Sequence, residues 1–232
     1  MKTFMKHYGS KFNIFKTLLG KPNPTIIEIG AHYGEDSMRF LEAFPQARVF
    51  CFEPDPRNIN IFKKYITDER IKLFEIALSN FNGTADFYLS HDYKVDSVPS
   101  KYDWIALEEY QKNKLSNSGA SSLKSGYQNN IDKVVVETQR FDSWHDTNNI
   151  DYIDLVWIDV QGAEKDVLDG MGDTIKKINY IWIEYGEEQY EDAMSADETV
   201  KYFSLYEFDL LGAYPASNTA GDMLFRRRGT HV

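Results

Sequence analysis

From Pro22 onward, short apolar runs alternate with segments of helical periodicity. That alternation restricts the chain to a parallel sheet wrapped by crossover helices. The runs Thr25–Ile29, Arg48–Phe52, Ile71–Ile76, Ile153–Ile158 and Asn179–Glu184 predict five strands, and Tyr206–Leu211 and Gly221–Arg226 predict two that close the sheet. Helices are predicted between them over Glu35–Ala43, Pro56–Tyr65, Ala163–Asp169 and Asp197–Phe203. A length of 232 residues suits one such core rather than two, so residues 22–232 are expected to form a single α/β domain with a doubly wound, seven-stranded sheet. Two further strand patterns, Thr84–Leu89 and Lys133–Arg140, stand outside the alternation and can pair as a hairpin. Between them, His91–Asp132 is polar and rich in aromatics, with one helical segment from Asp103 to Asn113; an insertion of this length, roughly residues 91–132, is expected to be a lid over a binding site.

The charge is unevenly placed. Lys and Arg number 26 against 36 Asp and Glu, a net −10, and such a field repels polyphosphate, so non-specific nucleic-acid binding is disfavoured and no nucleic-acid partner is expected. Residues 1–21 nevertheless carry Lys2, Lys6, Lys11, Lys16 and Lys21 without an acid, and Phe4, Tyr8, Phe12, Phe15 and Leu19 recur there at helical spacing. This predicts a basic amphipathic helix capped by Ser10. It is expected to cover the sheet edge of its own domain, with peripheral contact to an anionic membrane as the alternative. No apolar run approaches the ~18 residues of a membrane span. The single cysteine, Cys51, sits in an apolar strand and cannot close an internal disulfide, which points to a reducing, cytoplasmic setting.

The first strand ends in Glu28-Ile29-Gly30-Ala31-His32-Tyr33-Gly34-Glu35-Asp36-Ser37, a strand, a loop with glycines four apart, and a helix start. Gly30 allows a sharp turn and close approach of a ligand, and Gly34 close packing of the helix. A dinucleotide fingerprint would place its second glycine at His32 and no acid at Asp36, so a diphosphate is disfavoured. Glu28 points instead to a cofactor with a cationic end, such as S-adenosylmethionine. The second strand ends in Glu53-Pro54-Asp55, about 20 residues further on, where an acid accepts both hydroxyls of a ribose. Ala77 and Leu78, after the third strand, fall where an adenine would lie. His32 is expected to touch the cofactor.

These residues resemble the FkbM-type family of S-adenosylmethionine-dependent methyltransferases. The likeness also takes in Gly119-Ala120-Ser121-Ser122-Leu123, Arg140-Phe141-Asp142 and Ile158-Asp159-Val160-Gln161-Gly162-Ala163-Glu164, and it spans roughly Thr25 to Phe225. It implies a class I Rossmann-like fold whose last strand is antiparallel, and transfer to hydroxyl oxygens of sugars or natural products. Trp157 departs from the pattern, standing where members often carry a lysine.

Methyl transfer from a sulfonium is an in-line displacement, so the protein must hold the acceptor oxygen and take its proton. Asp159 closes a strand apolar enough to be central and is the candidate base, with Glu184 at the end of the next strand as its neighbour. Gln161, Glu164, Ser121 and Ser122 are candidate ligands of acceptor hydroxyls. Two adjacent carboxylates also suit Mg²⁺, although no tighter metal signature accompanies them. The acidic run Glu187, Glu188, Glu191, Asp192, Asp197 and Glu198 reads as a solvated face. The expected function is therefore O-methylation of a sugar hydroxyl. A cofactor-binding scaffold without turnover, or a methyltransferase acting on an amine or nucleobase, is the alternative.

Overall fold

The structure, a computed structural model, describes residues 9–92, 96–125, 130–186 and 190–230. In chain order the first half holds α1 (Gly9–Leu19), β1 (Thr25–Ile29), α2 (Glu35–Ala43), β2 (Arg48–Phe52), α3 (Pro56–Tyr65), β3 (Ile71–Phe74), β4 (Ala77–Ser79), β5 (Gly83–Ser90) and α4 (Leu107–Lys112). The second half holds β6 (Asn130–Arg140), α5 (Phe141–Asn148), β7 (Ile153–Ile158), α6 (Glu164–Met171), β8 (Ile178–Gly186), α7 (Ala196–Leu205), β9 (Phe208–Pro215) and β10 (Ala220–Arg227).

Seven strands form one sheet in the order β3-β2-β1-β7-β8-β10-β9, and β4-β6-β5 form a second, smaller sheet. All pairings from β3 to β8 are parallel, while β10 runs antiparallel to both β8 and β9. The direction of winding reverses between β1 and β7, and a crevice opens at the carboxyl ends of strands at such a reversal. Helix starts are built locally: Asp55 accepts from Arg57 N ahead of Pro56, and Ser195 forms a capping box with Glu198.

Alternation along the strands separates two cores. One face carries Ile27, Ile29, Val156, Ile158, Ile181 and Ile183 with Phe141, Val167 and Phe203 of the helices; the other carries Ile26, Leu155, Trp157, Tyr180, Trp182 and Leu224. Helix α1 packs on the second face. Phe15 is 1% exposed, its ring edge-on to Trp182 at 5.5 Å, and Phe12 stacks on Trp157 at 6.3 Å. Burying two phenylalanines is worth roughly 1.5–3 kcal/mol each.

The apolar face that the sequence offers to a membrane is thus turned into the molecule from Phe12 onward, and it covers a sheet face rather than an edge. Phe4 and Tyr8 lie outside the described residues. Ser10 falls inside α1, which begins at Gly9, so it is not the cap. Among the described residues no helix is long and apolar enough to cross a membrane.

The paired strands expected around the insertion form as β5 and β6, antiparallel from Gly83 opposite Thr138. The helical segment expected over Asp103–Asn113 is shorter: a 3-10 turn at Ser100–Tyr102 precedes α4. This insertion has its own small core, in which Tyr102, Ile105, Tyr110 and Leu115 pack on Tyr33 and Ile61. Ile76 lies beyond β3, and Ala77-Leu78 belong to β4, a strand too short to signal itself. Glu187 and Glu188 of the acidic run lie outside the described residues.

Candidate active site

At the reversal between β1 and β7, Asp159 N donates to Ile29 O at 3.0 Å, continuing the ladder past both strand ends. Gly30 then turns with φ of +88°, and a Cβ built on it would stand 1.8 Å from the Asp159 carbonyl oxygen. Glycine is therefore demanded here by the neighbouring strand as well as by the turn. Gly34 (φ +82°) lets the start of α2 rest on α3, where an added Cβ would meet Phe62 at 2.7 Å.

A cavity of about 350 Å³ opens over these strand ends. Of the residues singled out in the sequence, Glu28, Gly30, Ala31, His32, Asp36, Glu53, Pro54, Ala77, Leu78, Ser121, Asp159, Gln161 and Glu184 line it. Ser37, Gly34, Ser122 and Glu164 do not, and each has a structural task instead.

Ser37 is fully buried and donates to Glu28, with Cys51 Sγ 3.1 Å away, so it supports the acid rather than a ligand. Ser122 donates to Gln161 O at 2.7 Å and accepts from Lys124 N, tying the lid to the loop after β7. Glu164 is turned into that same loop and accepts from Val160 N and Gly162 N at 3.2 and 3.1 Å. Both residues hold the Asp159–Gly162 loop.

One end of the cavity is organised by Glu53. Its carboxylate accepts from His32 N at 2.8 Å, from Asp55 N at 2.9 Å and from Asn58 Nδ2 at 3.2 Å. Burial, reinforced by the Asp55 carboxylate, pushes Glu53 up to about 7. Asn58 Oδ1 is buried beside it without a hydrogen-bond partner among the described residues. A carboxylate with lone pairs to spare and an unmet acceptor, next to the flat apolar wall of Ile76, Ala77 and Leu78, fit a ribose and its adenine.

His32 takes φ of +51° and is fixed by Glu35 Oε1 at 3.0 Å and Ser118 Oγ at 3.1 Å. Burial would raise Glu35, but the His32 ring draws it down to about 2. Asp36 is pushed up to about 6 by burial and by the Glu35 charge. Glu28 is raised well above the carboxylate range by burial and by Asp36. This acid-lined end of the cavity suits the ammonium and sulfonium of S-adenosylmethionine.

The other end holds a carboxylate pair. Gln161 Nε2 donates to Asp159 Oδ1 at 2.6 Å and to Glu184 Oε2 at 2.8 Å, while its Oε1 accepts from Tyr190 at 3.0 Å. Gln161 is thereby fully engaged as an orienting group, with φ of +56°. Burial and the Asp159 charge raise Glu184. Asp159 is raised by burial but relieved by hydrogen bonds from Gln161 and Glu184. Burial raises both members, so the pair retains a proton between them. Among the described residues no group of three or more His, Cys, Asp or Glu side chains is placed to hold a metal.

Sequence reasoning missed several lining residues. Lys11 comes from α1, Tyr102 and Ser118 from the lid, Asn58 from α3 and Asp222 from β10. None ends a strand motif of the kind that marks Glu28, Glu53 and Asp159, and the position of each depends on packing that no local spacing reveals.

This strand order, with the glycine loop and acid-lined cavity at its reversal, defines a class I Rossmann-like methyltransferase. TrmK of M. capricolum in complex with S-adenosyl-homocysteine superposes with a TM-score of 0.52 at 10% identity, over 98% of this chain and 72% of that one. A putative rRNA-methylase from Clostridium thermocellum gives 0.52 at 10% identity, over 100% and 99%. Those likenesses concern the fold.

The Methyltransferase FkbM domain model matches residues 28–210, and the chain belongs to that family. The 2-O-methyltransferase NoeI of Sinorhizobium fredii is 36% identical over 212 residues, 90% of this chain and 82% of that protein. The protein is an S-adenosylmethionine-dependent methyltransferase.

Proposed function

We propose that this enzyme methylates a hydroxyl of a sugar or similarly hydroxylated small molecule, with Asp159 as the base. The observation that carries this reading is the Asp159–Gln161–Glu184 cluster, two carboxyls bridged by one amide nitrogen in the cavity wall. Bound S-adenosylmethionine supplies an electrophilic methyl on a positive sulfur. Glu53, Asn58 and the Gly30 loop would hold its nucleoside, and Glu28 and Asp36 would face its charged end.

With S-adenosylmethionine bound, its methyl would pass to the acceptor oxygen and leave the carbon–sulfur electron pair on sulfur, while Asp159 Oδ would take the hydroxyl proton. An alcohol oxygen needs such a base near the methyl, and positioned general bases contribute about 10²–10⁴-fold. The relative named as a 2-O-methyltransferase supports oxygen as the nucleophile. The carboxylates at the acceptor end oppose a polyphosphate, in favour of a neutral glycan over nucleic acid. A buried, unpaired Cys51 is consistent with work in the cytoplasm.

The test is incubation with methyl-labelled S-adenosylmethionine and a panel of glycans, amines and structured RNA, comparing the parent with Asp159→Asn. Label in a glycan as a base-stable ether, reduced at least a hundredfold in Asp159→Asn, is the expected result. Label in the amine or RNA arm alone would overturn it.

A further inference from the structure

Helix α1 reaches the acceptor end of the cavity. In the register of the sheet, Asp222 of β10 stands opposite Glu184 of β8, and Trp182 stands opposite both Leu224 and Trp157. Period-two alternation therefore sets Asp159, Glu184 and Asp222 in one row across three adjacent strands, on the face that α1 covers. The row of Trp157, Trp182 and Leu224 lies one pleat behind it. Phe12 and Phe15 anchor α1 on the aromatic row, and Lys11 bridges the two rows. Lys11 Nζ is 2.6 Å from Asp222 Oδ2, 4.7 Å from the Trp182 ring centroid and 5.4 Å from that of Trp157. Asp222 is fixed from its other oxygen by Trp182 Nε1 at 3.1 Å. Lys11, Asp159, Glu184 and Asp222 all line the cavity.

We propose that Lys11 is a positioning residue for the transfer: by neutralising Asp222, it keeps the carboxylate row at one net negative charge and so keeps Asp159 able to take a proton at neutral pH. The inference rests on the reading of Asp159 as the base. Strands lie about 4.8 Å apart, so a second negative charge in this row would hold the proton shared by Asp159 and Glu184 more tightly. The Lys11 charge favours ionised Asp159 and the Asp222 charge opposes it.

The other titratable and charged groups around the pair are Glu28 from β1, the Asp36–Arg39 ion pair from α2, Glu164 from the start of α6 and Lys101 from the lid. Of the cations, Arg39 is engaged with Asp36, whereas Lys11 is bonded to a member of the row itself. The two indole faces hold the ammonium in place, and the lysine stem covers them.

The experiment follows the carboxyl signals of Asp159 and Glu184 by ¹³C NMR pH titration, on the full chain with S-adenosylhomocysteine added. Asp159→Asn and Glu184→Gln provide the assignments. Lys11→Met keeps the apolar stem; Lys11→Gln replaces it if Lys11→Met melts far below the parent. The lower titration of the pair is expected to move up by about one pH unit in Lys11→Met, to stay at the parent position in Lys11→Arg, and to return toward it in Lys11→Met/Asp222→Asn. A titration unmoved by Lys11→Met, or one that Asp222→Asn does not restore, overturns the proposal. The titration needs no acceptor. Absence of turnover on every hydroxyl compound would therefore sink the O-methylation reading while the Lys11 result stood or fell separately.

Discussion

The carbonyl oxygen of Asp159 occupies the space where a side chain on Gly30 would begin, with only 1.8 Å to a Cβ built there. The glycine loop after β1 and the chain at the end of β7, where the proposed base lies, are thus in direct backbone contact.

Gly30→Ala is accordingly expected to abolish cofactor binding or to unfold the protein. The contact is with backbone, which cannot rotate away, and φ is +88°. Gly119→Ala is the control, since its Cβ would meet the end of the His32 ring at an ordinary 3.6 Å. Thermal melts with and without S-adenosylhomocysteine should show a loss of several degrees and no ligand-induced rise for the first, and parent behaviour for the second. Parent behaviour from Gly30→Ala would show that the loop and strand are not locked.

Cofactor affinity should depend on pH through Glu53. Burial raises this group to about 7, and a ribose needs the ionised form as its acceptor, so protonation weakens binding. Affinity for S-adenosylhomocysteine should fall about tenfold between pH 8 and pH 6, as expected for a group titrating near 7. Glu53→Ala should lose binding at both values. Calorimetry across this range decides it, and a flat profile in the parent would exclude Glu53 as the ribose ligand.

Gln161 supplies one donor nitrogen to both carboxyls of the pair. Gln161→Leu removes the hydrogen bond that favours ionised Asp159, so the base titrates higher and the acid limb of the pH–rate profile moves to higher pH. A loss of kcat/KM confined to the acid side of the profile and recovering at high pH is expected, because on the acid limb a base that titrates one pH higher is ionised to about a tenth of the extent. A uniform loss at all pH values would mean that Gln161 contacts the acceptor instead.

Much of this site is legible in the sequence because its residues sit at strand ends, where apolar periodicity stops abruptly. Glu28, Glu53 and Asp159 are marked by the runs that precede them, and the structure brings all three to one cavity. Ser37, Ser122 and Glu164 resemble ligands in the sequence because residue type and proximity in the chain do not disclose direction. Ser37 points back into the sheet, and the other two point into the loop they brace. Helix α5 carries no periodic signal, since its buried residues Phe141, Trp144 and His145 span little more than one turn. Lys11 is, by spacing alone, one lysine of a basic surface helix. Only the packing of Phe12 and Phe15 turns that helix so that this lysine enters the cavity.

The same packing predicts that α1 is needed for both stability and activity. Phe15 is buried against Phe40, Trp157 and Trp182, so Phe15→Ala removes a large side chain from a contact that cannot collapse. Such truncations cost about 3–5 kcal/mol. Lys16→Ala, on the exposed side of the same helix, should leave the stability within about 0.5 kcal/mol of the parent. Urea unfolding with constant m-value distinguishes them. Equal, small effects from the two substitutions would show that α1 does not dock in solution, and its removal should then spare methyl transfer as well.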